Sequence, residues 1–245
     1  MRAVTEFDML SSGDRILIGL SGGKDSLFLL YALAALKRRV GVKFSLAALT
    51  VDPMFTPDFA ADTLTEYAAK LSIPHSVIKV DIDTAIKTSG KNACLTCAYF
   101  RRAAINRFAK EHDFNKVAYA HHHDDAVETF FMGLLYSGQL NVFTPVTYLD
   151  RSDITVIRPL IYLREAEVKE ALKITGFSPL TSPCPRDGNT ARQRVKELIA
   201  ALSVDNPNVY DHLAAAMRQN ALGELWPPAK DRSAMRESYR QLMRR

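Results

Sequence analysis

The segment Arg15–Ser26 reads RILIGLSGGKDS and joins a short apolar run to a glycine-containing loop. Its apolar part, Arg15–Leu20, is typical of a buried strand, and leucines at helical spacing follow the loop in Lys24–Arg39. Gly22 and Gly23 would let backbone amides approach a phosphate, and a helix N-terminus adds unpaired N–H groups and a positive dipole end. The segment therefore predicts a strand, a phosphate-binding loop and a helix in succession.

Polar side chains of the loop strengthen this prediction. Ser21 and Ser26 offer hydroxyl groups, and Lys24 offers a positive charge. The Walker A motif does not fit, because Asp25 follows the lysine where a hydroxyl residue is required, and because the first glycine of that motif is missing. The dinucleotide fingerprint G-x-G-x-x-G is also absent. A different class of nucleotide loop is therefore expected.

Short apolar runs alternate with helical stretches through the first 160 residues. This pattern predicts an α/β fold, a Rossmann-like parallel sheet of about five strands with helices on both faces. Such sheets bind ligands beyond the carboxyl ends of their strands. The later strands are predicted at Phe44–Val51, His75–Val80, Val117–Ala120 and Ile154–Ile157, and the helices between them at Pro57–Leu71, Ala98–His112 and Asp124–Tyr136.

The chain changes character after Pro159, where only helices are predicted. We therefore expect a phosphate-binding α/β domain over residues 1–160, with a CxxC segment inserted in it, and a helical extension over residues 161–245 that carries the third cysteine. The expected helices are Arg164–Thr175, Asn189–Ala201 and Val209–Leu222, with a turn-rich segment at Ser178–Asn189 between the first two.

Composition places the chain among globular proteins. Of its 245 residues, 47% are hydrophobic and 24% are charged, which excludes the disordered and fibrous classes. No apolar run approaches the roughly 20 residues that cross a bilayer, and Met1–Asp14 lacks a signal-peptide core. We therefore expect a cytoplasmic protein without a membrane partner. The net charge of +5 is mild and lies mostly in Ala229–Arg245, which is either a solvated helix or a surface for backbone phosphates.

A histidine–aspartate segment, HHHDDAVET over His121–Thr129, closes the fourth predicted strand and opens a helix. Adjacent residues on extended backbone point to opposite sides, so the three histidines cannot easily bind one metal ion. Asp124 and Asp125 either cap the helix or place a carboxylate at the phosphate end of the sheet, where it could hold Mg²⁺ or orient a substrate. Asp52 is likewise either a contact on the adenine and ribose side or a turn residue before Pro53.

Three cysteines, Cys94, Cys97 and Cys184, do not form a disulfide framework. The first two make a CxxC pair in a polar stretch that is predicted to lie just before a helix. Buried structural thiols fit such a stretch poorly, a thioredoxin-like pair leaves Cys184 unexplained, and a structural zinc site needs a fourth ligand. Three thiolates on a cubane iron–sulfur cluster would leave one iron open for sulfide or substrate.

These segments together carry a family resemblance. SGGKDS resembles the SGGxDS signature of the PP-loop ATP pyrophosphatases, which cleave ATP between the α- and β-phosphates and transfer AMP to a substrate oxygen. HHHDDAVET resembles the HHxDDxxET segment that the tRNA-lysidine and tRNA 2-thiocytidine synthetases share. The order of the CxxC pair, this segment, Ile157–Leu160 and Pro183–Cys184 is similar to that of the 2-thiocytidine branch, over roughly Gly13 to Lys196.

The resemblance implies ATP-dependent, iron–sulfur-dependent tRNA thiolation, with a pyrimidine carbonyl adenylated first, in the simplest case that of an anticodon-loop cytidine. It implies ATP and Mg²⁺, a 4Fe–4S cluster on Cys94, Cys97 and Cys184, tRNA and a sulfur donor such as a cysteine desulfurase as partners, and it is compatible with a homodimer. Catalytic roles fall on Lys24 and on Asp125 or Asp124. ATP contacts are expected from Ser21, Gly22, Gly23, Lys24, Asp25, Ser26, Asp52 and His121, and RNA contacts from Arg101, Arg102 and Arg158, which are otherwise solvated.

Other functions remain open on the sequence. A tRNA-lysidine-type ligase would share the glycine loop and have no use for the cysteines. A cluster enzyme could transfer sulfur to another pyrimidine, or remove it. A non-catalytic iron–sulfur sensor would bind ATP without releasing pyrophosphate.

Overall fold

The computed structural model describes residues 1–57, 59–186, 188, 190–218, 233 and 236, which build a layered α/β protein. The strands are β1 (Arg15–Gly19), β2 (Ser45–Asp52), β3 (His75–Lys79), β4 (Lys116–Ala118), β5 (Val146–Leu149) and β6 (Ile154–Ile157). The helices are α1 (Arg2–Glu6), α2 (Lys24–Lys37), α3 (Ala61–Lys70), α4 (Ile82–Ser89), α5 (Ala93–Glu111), α6 (His123–Ser137), α7 (Glu165–Lys173), α8 (Ala191–Asp205) and α9 (Val209–Arg218).

The sheet has six strands in the order β3-β2-β1-β4-β6-β5. The predicted strands pair in parallel, which confirms the fold class, whereas β5 pairs antiparallel with β6 at the edge. The expectation of about five strands missed β5, because its four residues are only partly buried and lack a clear apolar alternation. A tight hairpin fixes it, in which the Tyr148 hydroxyl donates to the Asp153 carboxylate at 2.7 Å.

The central strand β1 explains why helices cover both faces of the sheet. Ile16 and Ile18 are fully buried against the leucines of α2, and Leu17, which points the other way, packs with Ile105 of α5. Successive side chains of a strand face opposite sides, so an uninterrupted apolar strand needs cover on both.

Helix α5 begins five residues earlier than predicted. The Asn92 side chain accepts hydrogen bonds from the backbone N–H groups of Cys94 at 3.0 Å and Leu95 at 3.2 Å, which satisfies donors at the helix start. The CxxC pair therefore lies inside the first turns of α5, and the expectation that it precedes the helix is wrong. Helix α4, which was not predicted, is capped by Asp81.

Helices α8 and α9 pack on α6 through Val127, Val195, Ile199 and Val209. The segment before α8 is irregular in its described residues, as predicted, and the Leu180 N–H donates to the Gly22 carbonyl at 2.9 Å. The end predicted for α9 and the basic tail Ala229–Arg245, apart from Ser233 and Arg236, lie outside the described residues, and a domain boundary at residue 160 stays a prediction. No helix in the described ranges has the length and apolar character to span a membrane.

Candidate active site

A cavity of about 470 Å³ opens at the carboxyl ends of β1, β2 and β4. The glycine loop forms one wall, the start of α6 forms another, and α5 closes the side toward the cysteines. This is the edge at which parallel sheets bind ligands. Of the residues singled out in the sequence, the cavity is lined by Ser21, Gly23, Asp25, Ser26, Arg101, Arg102, His121, Asp125 and Arg158.

The glycine loop is held open by its own serines. The Ser21 N–H and hydroxyl both donate to Ser26 Oγ, at 3.2 and 3.1 Å, and Ser26 Oγ donates to the Gly23 carbonyl at 2.9 Å. Gly22 has a φ of +82°, and a Cβ there would lie 3.0 Å from Leu180, so both its conformation and its neighbour require glycine. The start of α2 thus has the shape of an anion site.

The Lys24 ammonium does not line this cavity. It lies 2.9 Å from Asp25 Oδ2 and 3.0 Å from Glu165 Oε1. Glu165 also pairs with Lys169 and Lys196. Burial would raise the pKa of Glu165, but hydrogen bonds and charges from Lys196 and Lys24 outweigh it and lower that pKa to about 2. Lys24 must therefore leave a firmly ionised carboxylate before it can contact a phosphate.

The adjacent residues Asp124 and Asp125 have different hydrogen-bond partners. Asp124 is buried, accepts two hydrogen bonds from the Arg164 guanidinium at 3.0 and 3.2 Å, and accepts a third from the Glu165 N–H at 2.9 Å. Asp125 lines the cavity and also completes a capping box, because its Oδ2 accepts from the His122 N–H at 2.9 Å. The capping alternative is thus confirmed for Asp125, and Asp124 anchors α7.

Asp25 offers the cavity a second carboxylate. Its Oδ1 atom is buried, finds no hydrogen-bond partner among the described residues, and lies 3.6 Å from His122 Nε2. Although no three acidic, histidine or cysteine side chains of the described chain converge as a ready metal-ion site, Mg²⁺ usually takes only one or two protein carboxylates besides phosphate and water. Asp25 and Asp125 therefore fit a magnesium ion bound together with a nucleotide.

Arg192 of α8 is a cavity residue that the sequence did not reveal. Its guanidinium donates to Glu128 Oε2 and to Thr129 Oγ1, each at 3.1 Å, and it lies 3.5 Å from Asp125 Oδ1. Burial raises the pKa of Glu128 and the charge of Arg192 opposes that rise. Only the N-cap Thr190, which accepts from the Gln193 N–H, marks this helix start in the sequence.

His121 and Arg158 form the floor of the cavity together with Tyr119. Arg158 Nε donates to His121 Nδ1 at 3.3 Å, and Arg158 Nη1 donates to the Thr144 carbonyl at 2.6 Å and to Thr147 Oγ1 at 3.1 Å. Burial lowers the pKa of His121 to about 4, so the ring is neutral at pH 7. Burial also raises the pKa of Tyr119 to about 12, so its hydroxyl keeps its proton.

Asp52 does not line the cavity. It is buried at the end of β2, and its Oδ1 accepts from the Met54 N–H at 2.9 Å. The Asp52 side chain therefore acts as a turn residue before Pro53, as one of the two alternatives predicted. A contact of Asp52 with the ribose or adenine stays a prediction.

Arg101 and Arg102 lie one helical turn beyond Cys97 and both reach the cavity. Arg101 Nε is buried without a hydrogen-bond partner in the described chain, whereas Arg102 Nε donates to the Ala98 carbonyl at 3.1 Å. A fully solvated helix face does not describe the half-buried Arg101, whereas Arg102 is exposed, and contact of either residue with RNA stays a prediction.

The three cysteines are free thiols, and Cys97 lies on α5 one helical turn before Arg101, which lines the cavity. Burial raises the pKa of the Cys97 thiol, the charge of Arg101 lowers it, and the charges of Cys184 and Cys94 raise it further, so Cys97 lies within electrostatic reach of both other thiols. A cubane cluster binds each thiolate to a different iron and so keeps them further apart than a single ion does. The donor set therefore fits such a cluster, although it does not form a single-ion site.

Comparison with known proteins supports the predicted family. The PP-loop domain profile matches residues 2–202 of the chain. A tRNA-cytidine(32) 2-sulfurtransferase of Geobacter metallireducens is 36% identical over 221 residues, which cover 88% of this chain and 86% of that protein. The protein of the same name in Ralstonia pickettii is 35% identical over 221 residues, covering 89% of this chain and 70% of its own.

Solved structures show the same fold. The U34-tRNA thiolase NcsA from Methanococcus maripaludis, solved with its 4Fe–4S cluster, has a TM-score of 0.72 at 22% identity and covers 89% of this chain and 76% of its own. NMN synthetase from Francisella tularensis has a TM-score of 0.51 at 16% identity, covering 91% of this chain and 94% of its own.

Proposed function

The chain belongs to the PP-loop domain family, and on that premise we propose that it is an ATP-dependent tRNA sulfurtransferase that converts an anticodon-loop cytidine to 2-thiocytidine. One observation carries the proposal beyond the family: the free thiol of Cys97 lies within electrostatic reach of Cys94, of Cys184 and of Arg101, and Arg101 lines the cavity that the SGGKDS loop forms. The names of the curated relatives supply the substrate, a tRNA cytidine.

The first step joins ATP to the base. The loop amides, Ser21 and Ser26 bind the phosphates, and Asp25 with Asp125 would hold Mg²⁺ against them. The cytidine carbonyl oxygen attacks the α-phosphorus, the bond to the bridging oxygen breaks, and pyrophosphate leaves with those electrons. Donors fixed around the phosphates stabilise the charge that develops there.

The second step replaces oxygen by sulfur at the activated carbon. A sulfur nucleophile bonds to that carbon, the carbon–oxygen bond breaks, and AMP leaves with the oxygen. Arg101 and Arg102, which line the cavity, would bind the departing phosphate or the RNA backbone. A 4Fe–4S cluster, which Cys94, Cys97 and Cys184 would hold, supplies when bound an iron without a protein ligand at which sulfide can be presented.

The test is anaerobic reconstitution followed by turnover with ATP and tRNA. We expect AMP and pyrophosphate in equal amounts and 2-thiocytidine in the digested tRNA. Cys184→Ser should lose the cluster absorption and thiolation while still binding ATP, and Asp125→Asn should keep the absorption and lose AMP release. ADP as the product, or full thiolation by a colourless protein, would contradict the proposal.

Three further expectations belong to this proposal. The resemblance implies a cysteine desulfurase as the sulfur donor and is compatible with a homodimer, and a cytoplasmic setting suits an enzyme that modifies tRNA. The first is checked by supplying labelled sulfur from a purified desulfurase, the second by light scattering of the reconstituted protein, and the third by fractionation.

A further inference from the structure

We call the cavity lined by the glycine loop the nucleotide cavity. A second cavity, of about 630 Å³, lies beside it, and three residues line both. It is enclosed by the adjacent stripe of α5, by β5 and by the loop that leads into β5. Arg102, Tyr119 and Arg158 line both spaces, so a group bound in the second cavity would border the nucleotide.

The lining of this second cavity includes aromatic and basic side chains. The Tyr99 side chain is 64% exposed, although it sits on a helix that packs on the sheet. The Arg158 guanidinium lies 4.9 Å from the centre of the Phe143 ring, and the Thr144 carbonyl holds it there at 2.6 Å. Exposed aromatic rings next to arginine are how proteins stack unpaired RNA bases.

Two residues that line the cavity each carry a buried polar atom for which the described chain offers no partner. Asn106 Oδ1 and the Tyr119 hydroxyl are shielded from solvent, and neither finds a hydrogen bond within the described ranges. Both residues line the cavity. Leaving a buried polar atom unsatisfied destabilises the fold, so such atoms point to a ligand that supplies the missing partners.

We propose that this second cavity receives the target cytosine, turned out of the tRNA loop, with Asn106 Oδ1 accepting a hydrogen bond from the exocyclic amino group of the base. The inference rests on the proposed function and adds to it the binding site of the base and a residue that selects it. The carbonyl side of the ring then faces the shared wall at Tyr119 and Arg158, toward the α-phosphate of ATP. Uracil carries an oxygen where cytosine carries the amino group, so it would meet Asn106 Oδ1 with a second acceptor.

The test compares two tRNA transcripts, one with cytidine and one with uridine at position 32, as substrates of the reconstituted enzyme. A hydrogen-bonded base contact is worth about 1–3 kcal/mol of discrimination, which corresponds to about 5- to 150-fold. The wild-type enzyme should therefore favour the cytidine transcript in kcat/KM. Asn106→Leu, which keeps the volume and removes both polar groups, should reduce kcat/KM for the cytidine transcript at least tenfold and bring the preference to within about threefold.

The controls separate this inference from the proposed function. Glu111→Gln, an exposed position on the same helix, should keep both rate and preference. Asn106→Leu should retain the ATP affinity and cluster absorption of the wild type. If the wild-type enzyme thiolates neither transcript, the proposed function fails; if it thiolates the cytidine transcript and Asn106→Leu keeps the preference and rate, only the assignment of this cavity fails.

Discussion

Lys24 Nζ lies 3.0 Å from Glu165 Oε1, so the lysine of the phosphate loop is bound by the first residue of a distant helix. Two further lysines, Lys169 and Lys196, meet the same carboxylate. The carboxylate thus organises the positive charge next to the nucleotide cavity. Any phosphate that recruits Lys24 competes with Glu165 for it.

The first prediction concerns this carboxylate. Glu165→Gln should lower the free energy of unfolding by about 1–3 kcal/mol at pH 7, because hydrogen bonds to a charged group are lost. The pKa of Glu165 is about 2 in the folded chain against a usual 4.5, so this contribution is present above pH 4.5 and disappears as the pH falls toward 2. Urea unfolding at several pH values measures it.

A matched control exists on the same helix. Glu170 is exposed and pairs only with Lys173 among the ion pairs of the described chain. Glu170→Gln should change the unfolding free energy by less than about 0.5 kcal/mol. A gap between wild type and Glu165→Gln that stays constant down to pH 3 would refute the prediction.

The second prediction concerns Arg192. Arg192→Ala leaves Glu128, whose side chain is 4% exposed, without its cation and should destabilise the fold by about 1–3 kcal/mol. Adding Glu128→Gln should recover part of that loss, because the uncompensated charge is removed. Arg194→Ala, at an exposed position on the same helix, serves as the control. Additive effects of the two changes in denaturant unfolding would argue against the pair.

The third prediction concerns Gly19, whose backbone lies close to the Tyr119 ring beside the nucleotide cavity. A Cβ at Gly19 would lie 3.2 Å from the Tyr119 ring, whereas one at Gly41 would meet nothing within 4 Å. Gly19→Ala should cost about 1–3 kcal/mol by overpacking and weaken ATP binding several-fold, since Tyr119 forms part of the floor. Calorimetry with ATP, using Gly41→Ala as the control, checks this, and equal affinities of the two variants would rule it out.

The fourth prediction concerns pH. The pKa of His121 is lowered by burial to about 4 from a usual 6.5, so between those values the unfolded chain binds a proton that the folded chain does not. Stability should therefore fall as the pH drops from 6.5 to 4, by at most about 1.4 kcal/mol per pH unit from this group. His121→Asn should flatten this dependence, and the exposed change His112→Gln should leave it intact. Parallel curves for all three proteins would contradict the prediction.

Local signals in the sequence predicted the strand β1, the glycine loop and the helix α2, because an apolar run, two glycines and spaced leucines act over a few residues. The parallel sheet followed from the alternation of such segments. The roles of Asp124 and Asp125 could not be separated, because neighbouring helix residues point in different directions and the choice depends on where Arg164 and Arg192 pack.

Residues that complete a cavity wall from a distance were also missed. Arg192, Tyr119 and Asn106 belong to elements that lie far apart in the chain and meet only through packing. Their residue types occur on many solvated surfaces, so no local pattern sets them apart. A buried polar atom without a partner is visible only after the chain has folded.

The hydrogen bond from Leu180 to the Gly22 carbonyl ties the segment that carries Cys184 to the loop at the nucleotide site. A backbone shift that followed binding at one of these places would therefore reach the other through one short stretch of chain. Linkage is reciprocal: the factor by which nucleotide changes the affinity of the thiols for their cofactor equals the factor by which that cofactor changes the affinity for nucleotide.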